Sequence, residues 1–178
     1  KSLDEKTLVN MGSTLNNRGP DDKGVFIDYS SQIAFAHQRL SILDLSSAGH
    51  QPMTSSSGRY VIVFNGEIYN HLELRKYLEL NTSNQIQTWR GYSDTETLVE
   101  LIDKLGIQKT LQKIEGMFSF ALWDNKNKNL TLARDRIGEK PLYYGFNEGI
   151  FFFGSELKSF KLHPKFNPKI DRNSLALF

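Results

Sequence analysis

Met117-Phe118-Ser119-Phe120-Ala121-Leu122-Trp123-Asp124 reads as a β-strand with two apolar faces. Phe118, Phe120 and Leu122 fall on one side of the pleat, and Met117, Ser119, Ala121 and Trp123 on the other. A strand that is apolar on both sides must be covered on both sides. Downstream, Asp124 to Asn129 is a polar turn into a strand at Leu130–Arg134, and Leu142–Phe146 with Ile150–Phe153 forms a hairpin around Asn147-Glu148-Gly149. Upstream, Thr110 to Glu115 is a short helical piece, preceded by a helix that begins at Ser93-Asp94-Thr95-Glu96. Ser93 as N-cap and Glu96 three places on make a capping box, with Leu98, Leu101, Ile102 and Leu105 as the apolar stripe and Gly106 as the stop. His71–Glu79 is another helix, and Tyr60–Phe64 a β-branched and aromatic strand expected to end at Asn65-Gly66. The polar run from Ser46 to Arg59 reads as loop. Val25–Asp28 and Ile33–His37 read as strands, and Leu8, Met11 and Leu15 as a helix that stops before Asn16. Helix, strands, helices, strands is the order of an α+β sandwich, not of a βαβ parallel sheet.

Composition narrows the function classes. The 178 residues are 39% hydrophobic and 24% charged, ordinary for one globular domain. The +2 formal charge comes from scattered residues, which gives no electrostatic reason to expect nucleic acid. The longest apolar stretches, such as Tyr60–Phe64, are too short to cross a bilayer, and Lys1–Thr14 has no signal-peptide pattern. A soluble cytoplasmic protein is expected. There is no cysteine, no Gly-rich phosphate loop and no G-x-S-x-G elbow, and His37, His50, His71 and His163 lack metal-ligand spacing.

Polar residues at strand ends are the candidates for chemistry. Arg39 follows the strand ending at His37, where a guanidinium can grip a carboxylate in two places or make a surface ion pair. Asn65 and Gly66 offer a side-chain amide and a closely approachable backbone N–H, the parts of an oxyanion hole, but Asn-Gly is also a common turn. Asp94, in a helix's first turn, can hold an ammonium or simply complement the helix dipole.

A set of motifs in fixed order carries a resemblance. Arg18-Gly19-Pro20-Asp21, then His37-Gln38-Arg39-Leu40-Ser41-Ile42-Leu43-Asp44, Gln51-Pro52-Met53, Phe64-Asn65-Gly66-Glu67-Ile68-Tyr69-Asn70 and Ser93-Asp94-Thr95-Glu96 resemble the class II glutamine amidotransferases. Gly116 to Ala121, Arg134 to Gly138, Pro141 to Tyr144 and Ser155-Glu156-Leu157-Lys158 are similar to the asparagine synthetase branch. The resemblance implies a four-layer αββα sandwich of the N-terminal-nucleophile hydrolase type. It implies hydrolysis of L-glutamine by an N-terminal cysteine whose free amine acts as base. Carried over by motif, Asn65 and Gly66 are the oxyanion donors, and Arg39, Leu40, Ser41, Ile42, Leu43, Glu67 and Asp94 complete the glutamine pocket, with Arg39 on the carboxylate and Asp94 with Glu67 near the α-amine. This domain needs no cofactor. The partner implied is the protein's own C-terminal synthetase domain, which uses ATP and magnesium to amidate a carboxylate such as aspartate; a homodimer is open. Since residue 1 is lysine, the expectation is that the nucleophile-bearing strand lies upstream. Residues 1–160 are then the glutaminase domain, 161–178 a linker and the start of the synthetase, and the 178 residues alone are inactive. The alternatives are a nucleophile-less glutamine-binding or scaffolding module and the glutaminase of another class II amidotransferase.

Overall fold

The computed structural model describes residues 4–81, 88–169 and 172–176. The two-faced strand is β5 (Gly116–Asp124), and it lies inside an antiparallel sheet of order β3-β4-β5-β6, with β3 at Met53–Thr54, β4 at Tyr60–Ile68 and β6 at Asn129–Arg134. Two hairpins form a second β layer: β1 (Asp22–Asp28) with β2 (Ile33–Arg39), and β7 (Tyr143–Asn147) with β8 (Ile150–Gly154).

Each face of β5 meets the cover that its sequence demanded. Ile62, Phe64, Ile68, Phe118, Phe120 and Leu122 share one core with Leu74 and Leu78 of α2 (His71–Asn81) and with Leu98, Leu101 and Ile102 of α3 (Asp94–Leu105). The three α3 residues are essentially fully buried, and each such side chain contributes about 1.5–3 kcal/mol relative to exposure. On the other face Val61, Ala121 and Trp123 meet Phe35 of β2, and Phe35 touches Phe153 of β8 edge-on at 5.6 Å between ring centres. α4 (Ile107–Lys113) packs on α3, α1 (Glu5–Ser13) on β1 and β2, and α5 (Leu157–Phe160) on β8 and α1. The layers are therefore helix, hairpins, sheet, helix, the αββα order expected. Among the described residues the two hairpins are not hydrogen-bonded to each other.

Two expectations need correction. β4 does not stop at Asn65-Gly66: it runs on to Ile68, with Asn65 opposite Ser119 and Gly66 opposite Phe118. Long-range pairing with β5 overrides the local turn preference of Asn-Gly. The Ser46–Arg59 run is not all loop, since it carries a 3₁₀ turn at Ser47–Gly49 and the short strand β3, which pairs with Ile62 and Val61. The expected lead-in at Ile170–Phe178 lies partly outside the described residues; within it Arg172–Leu175 forms α6. No helix among the described residues is long and apolar enough to cross a membrane.

The loop after β6 is pinned by one carboxylate. Asp135 accepts from the backbone N–H of Phe118, Gly138, Glu139 and Lys140 at 2.6–3.2 Å. Burial opposes its ionisation, but the backbone donors prevail and hold it down to about 2, against an ordinary 3.8. Asp124, gripped by Arg59, is likewise held to about 2. A carboxyl depressed on folding stabilises the fold above its unfolded value and loses that contribution as pH falls through its folded value. Urea midpoints are therefore expected to decline between about pH 4 and pH 2, with Asp135→Asn showing a shallower decline. A wild-type midpoint that stays flat over that window would contradict the assignment.

Candidate active site

A cleft of about 1120 Å³ lies between the β layers, walled by β2, β8 and the ends of β4 and β5. Its chemistry is set by the edge of β4. β3 reaches only as far as Ile62, so from Phe64 onward one edge of β4 pairs with β5 while the other has no strand beside it among the described residues. Side chains occupy that edge instead. The Phe64 N–H donates to Gln51 Oε1 at 2.7 Å, and the Ile68 N–H donates to Asp94 Oδ2 at 2.8 Å. Strand groups alternate in direction, so the Gly66 N–H points to the same edge, midway between these two anchors.

Asn65 points the other way from the core, toward the cleft, on the same face as Val63 and Glu67. Its Nδ2 is buried and has no hydrogen-bond partner. Leaving a buried donor unpaired costs about 1–3 kcal/mol, so an unpaired amide facing a cleft is a group kept for a ligand. Gly66 is required by β5: a Cβ there would fall on the Met117 carbonyl and on Phe118. The expected use of this glycine is close approach of its N–H to a ligand. The close approach it demonstrably permits is to the neighbouring strand.

Arg39 does not emerge at an open rim. It is 8% exposed, and its guanidinium donates to the backbone carbonyls of Ser46, at 3.0 Å, and Asp44. The loop Leu40–Ser46 curls back over the strand end because the Asp44 carboxylate binds Ser46 N–H, Ser46 Oγ and Tyr92 N–H. Gly49 completes the enclosure, since a Cβ there would land on the guanidinium. The surface ion pair is thereby replaced by a buried cation that shapes the loop while still lining the cleft. Leu40, Ile42 and Leu43 are exposed and also line it. Ser41 is outside the cleft wall, and its N–H ties back to Asp21 at 2.7 Å.

Asp94 is 6% exposed, and its carboxylate reaches across from α3 to β4. Burial pushes its carboxyl above the ordinary 3.8, and the nearby Glu67 charge adds to the rise, against hydrogen bonds from Ile68 and Thr95. The expected capping box is half formed. Ser93 Oγ accepts the Glu96 N–H at 3.2 Å, but the Glu96 carboxylate turns to the N–H groups of Arg90 and Gly91. Asn65, Gly66, Glu67, Asp94, Arg39, Leu40, Ile42 and Leu43 thus share one cleft.

Three residues in and behind the site had been given no role from sequence. His37 Nε2 bonds the Phe64 carbonyl at 3.1 Å, Gln51 bonds Phe64 N–H, and Arg75 fixes the segment before Asp94. The signal for the first two was their place inside quoted motifs, His37-Gln38-Arg39 and Gln51-Pro52-Met53. The arrangement as a whole offers an unpaired amide donor and a strand-edge N–H in a cleft also lined by a buried cation, Arg39, a buried carboxylate, Asp94, and the half-buried Glu67.

The comparisons with known proteins bear on the family and the fold. The model of the glutamine amidotransferase domain family matches residues 1–178. Asparagine synthetase (glutamine-hydrolyzing) 3 of Bacillus subtilis (strain 168) is 37% identical over 175 residues, 97% of this chain and 27% of that protein. Asparagine synthetase B (glutamine-hydrolyzing) of Escherichia coli (strain K12) is 37% identical over 155 residues, 86% of this chain and 26% of its own length. Among solved structures, the glutamine phosphoribosylpyrophosphate amidotransferase from B. subtilis superposes with a TM-score of 0.70 at 19% identity, over 90% of this chain and 41% of that one, which shows a shared fold. The chain spans little more than a quarter of the length of the two synthetases.

Proposed function

The chain belongs to the glutamine amidotransferase domain family, and on that premise we propose that it binds L-glutamine in the cleft beside Asn65 and serves a glutamine-hydrolysing asparagine-synthetase-type enzyme. The observation that carries the proposal is the unpaired, buried Asn65 Nδ2 on the cleft face of β4. Attack on a carboxamide carbon converts its oxygen to an oxyanion, and Asn65 Nδ2 with the Gly66 N–H is a donor pair suited to it. Glutamine is a zwitterion, so its backbone end needs one cation and one anion: Arg39 for the carboxylate, Asp94 with Glu67 for the ammonium. Leu40, Ile42 and Leu43 flank the carboxylate end, and Ser41, outside the wall, is kept only as part of their loop.

The proposed nucleophile is a cysteine outside residues 1–178, which contain none. In the proposed reaction a cysteine thiolate adds to the side-chain amide, the amine group beside it passes the thiol proton to the leaving nitrogen, ammonia departs, and water hydrolyses the thioester to glutamate and free thiol. Residues 1–178 alone then bind glutamine without releasing ammonia. Ammonia would pass to a synthetase domain that uses ATP and magnesium to activate a carboxylate such as aspartate. A cytoplasmic setting follows from the need for glutamine and ATP.

Calorimetry tests the pocket. Arg39→Ala and Asp94→Ala are expected to weaken glutamine binding about ten-fold or more, the size of one buried charge-assisted contact. Unchanged affinity in both would overturn the proposal. Asp94 must be ionised to hold the ammonium, and its carboxyl sits above 3.8. Affinity is therefore expected to fall as pH drops through that raised value, starting at a higher pH than for an ordinary carboxylate. Asp94→Asn should bind weakly and lose this pH dependence; a full pH dependence in that variant would move the ammonium contact elsewhere.

A further inference from the structure

Phe64 precedes Asn65, and both of its outward peptide groups end on side chains where a sheet would supply a strand. Its N–H meets Gln51 Oε1 at 2.7 Å and its C=O meets His37 Nε2 at 3.1 Å. A carbonyl can only accept, so Nε2 carries the ring proton. The other end of the Gln51 amide donates to Thr95 Oγ1 at 3.3 Å, one residue beyond Asp94. Gln51 is 5% exposed, and His37 comes from β2. The two side chains thus join β2, the segment before β3, β4 and α3 at a single residue, through the peptide groups on either side of it.

We propose that His37 and Gln51 are positioning residues of the oxyanion site, holding the Phe64 peptide groups so that Asn65 Nδ2 and the Gly66 N–H are presented at fixed places. This rests on the assignment of Asn65 and Gly66 as oxyanion donors. Oxyanion stabilisation depends on donors being in place before charge develops. An unpaired strand edge frays, and a misplacement of about 1 Å at a reacting centre can cost about 10²-fold. Among the described residues no strand lies next to the donors to prevent this, and the Gln51–His37 pair does that work. His37 is suited to holding and not to proton transfer. Burial drives its imidazole down to about 4, so the ring is neutral near pH 7, and Nε2 is already engaged.

The test is steady-state glutaminase kinetics of the full-length protein, comparing Gln51→Met, His37→Ala, His37→Gln and Asn65→Ala with the corresponding double variants. Gln51→Met and His37→Ala are expected to lower kcat about ten- to a hundred-fold with KM for glutamine within about threefold. His37→Gln, which restores an N–H near the Nε2 position, should recover most of the loss. In the Asn65→Ala background each change should add less than about threefold, because its effect passes through the donors. Fully additive losses, or unchanged kcat in both Gln51→Met and His37→Ala, would overturn the positioning role. If His37→Ala fails to fold, Gln51→Met and His37→Gln decide alone. Should Asn65→Ala itself leave kcat unchanged, the donor assignment falls; should only Asn65→Ala matter, the positioning proposal falls and the donor assignment stands.

Discussion

Asn65→Ala is expected to slow glutamine hydrolysis by the full-length protein about 10²–10³-fold, equivalent to about 2.7–4 kcal/mol of barrier. Glutamine affinity should stay within about threefold, because the lost donor acts on charge that exists only in the transition state. The structure adds a second readout that separates catalysis from architecture. Asn65 Nδ2 is buried and unpaired, so its removal deletes an unsatisfied donor instead of breaking a bond. The variant should therefore melt no lower than wild type, within about 0.5 kcal/mol. A rate within threefold of wild type would sink the oxyanion assignment. A large drop in melting temperature would instead make Asn65 a residue of the scaffold.

How much of this was legible beforehand depends on how local the signal is. The alternation from Met117 to Trp123 was enough to require two covering layers, and both are present. The Ser93 cap and the stripe from Leu98 to Ile102 located α3, because caps and apolar periods are written in neighbouring residues. Asn65-Gly66 misled: its turn preference is local, whereas its pairing with Ser119 and Phe118 is set by a strand some fifty residues away. Arg39 was correctly placed at the end of β2, but its burial was invisible, since it depends on Asp44, Ser46 and Gly49 closing around it. Gln51 sat in a run whose polarity suggested only loop. Its function, satisfying a peptide group on another segment, has no periodic signature at all. The same holds for Glu96, which looked like half of a capping box and turned instead to Arg90 and Gly91. Motif order brought the candidate site together; the geometry supplied the reasons each part is held.

The largest stability effect is expected from Arg75→Ala, a residue of α2 that touches no proposed ligand. Its guanidinium donates to Thr97 Oγ1 at 2.8 Å, the Gly91 carbonyl at 2.7 Å and the Ser93 carbonyl at 2.8 Å, and it lies over the Trp89 ring at 4.1 Å. The Glu96 carboxylate is 3.5 Å away, with side-chain exposures of 8% for Arg75 and 2% for Glu96. Removing one member of such a pair leaves the other charge buried with less compensation, which typically costs about 3–5 kcal/mol. Two carbonyls also lose their donor, and Trp89 loses its cation. Arg90 limits the damage by keeping its own contact with Glu96 at 3.1 Å, so the lower part of that range is expected. For a domain of this length it corresponds to a fall of about 6–12 °C in Tm. Because the lost bonds hold Gly91 and Ser93, the segment that leads into Asp94 should loosen as well. Glutamine binding is therefore expected to weaken several-fold in Arg75→Ala even at temperatures where the variant remains folded. Denaturant melts and calorimetry on the same sample separate the two effects. A loss below about 1 kcal/mol would mean that the fold does not depend on the buried pair. A destabilised variant with unaltered glutamine affinity would mean that Asp94 is held by α3 and β4 alone.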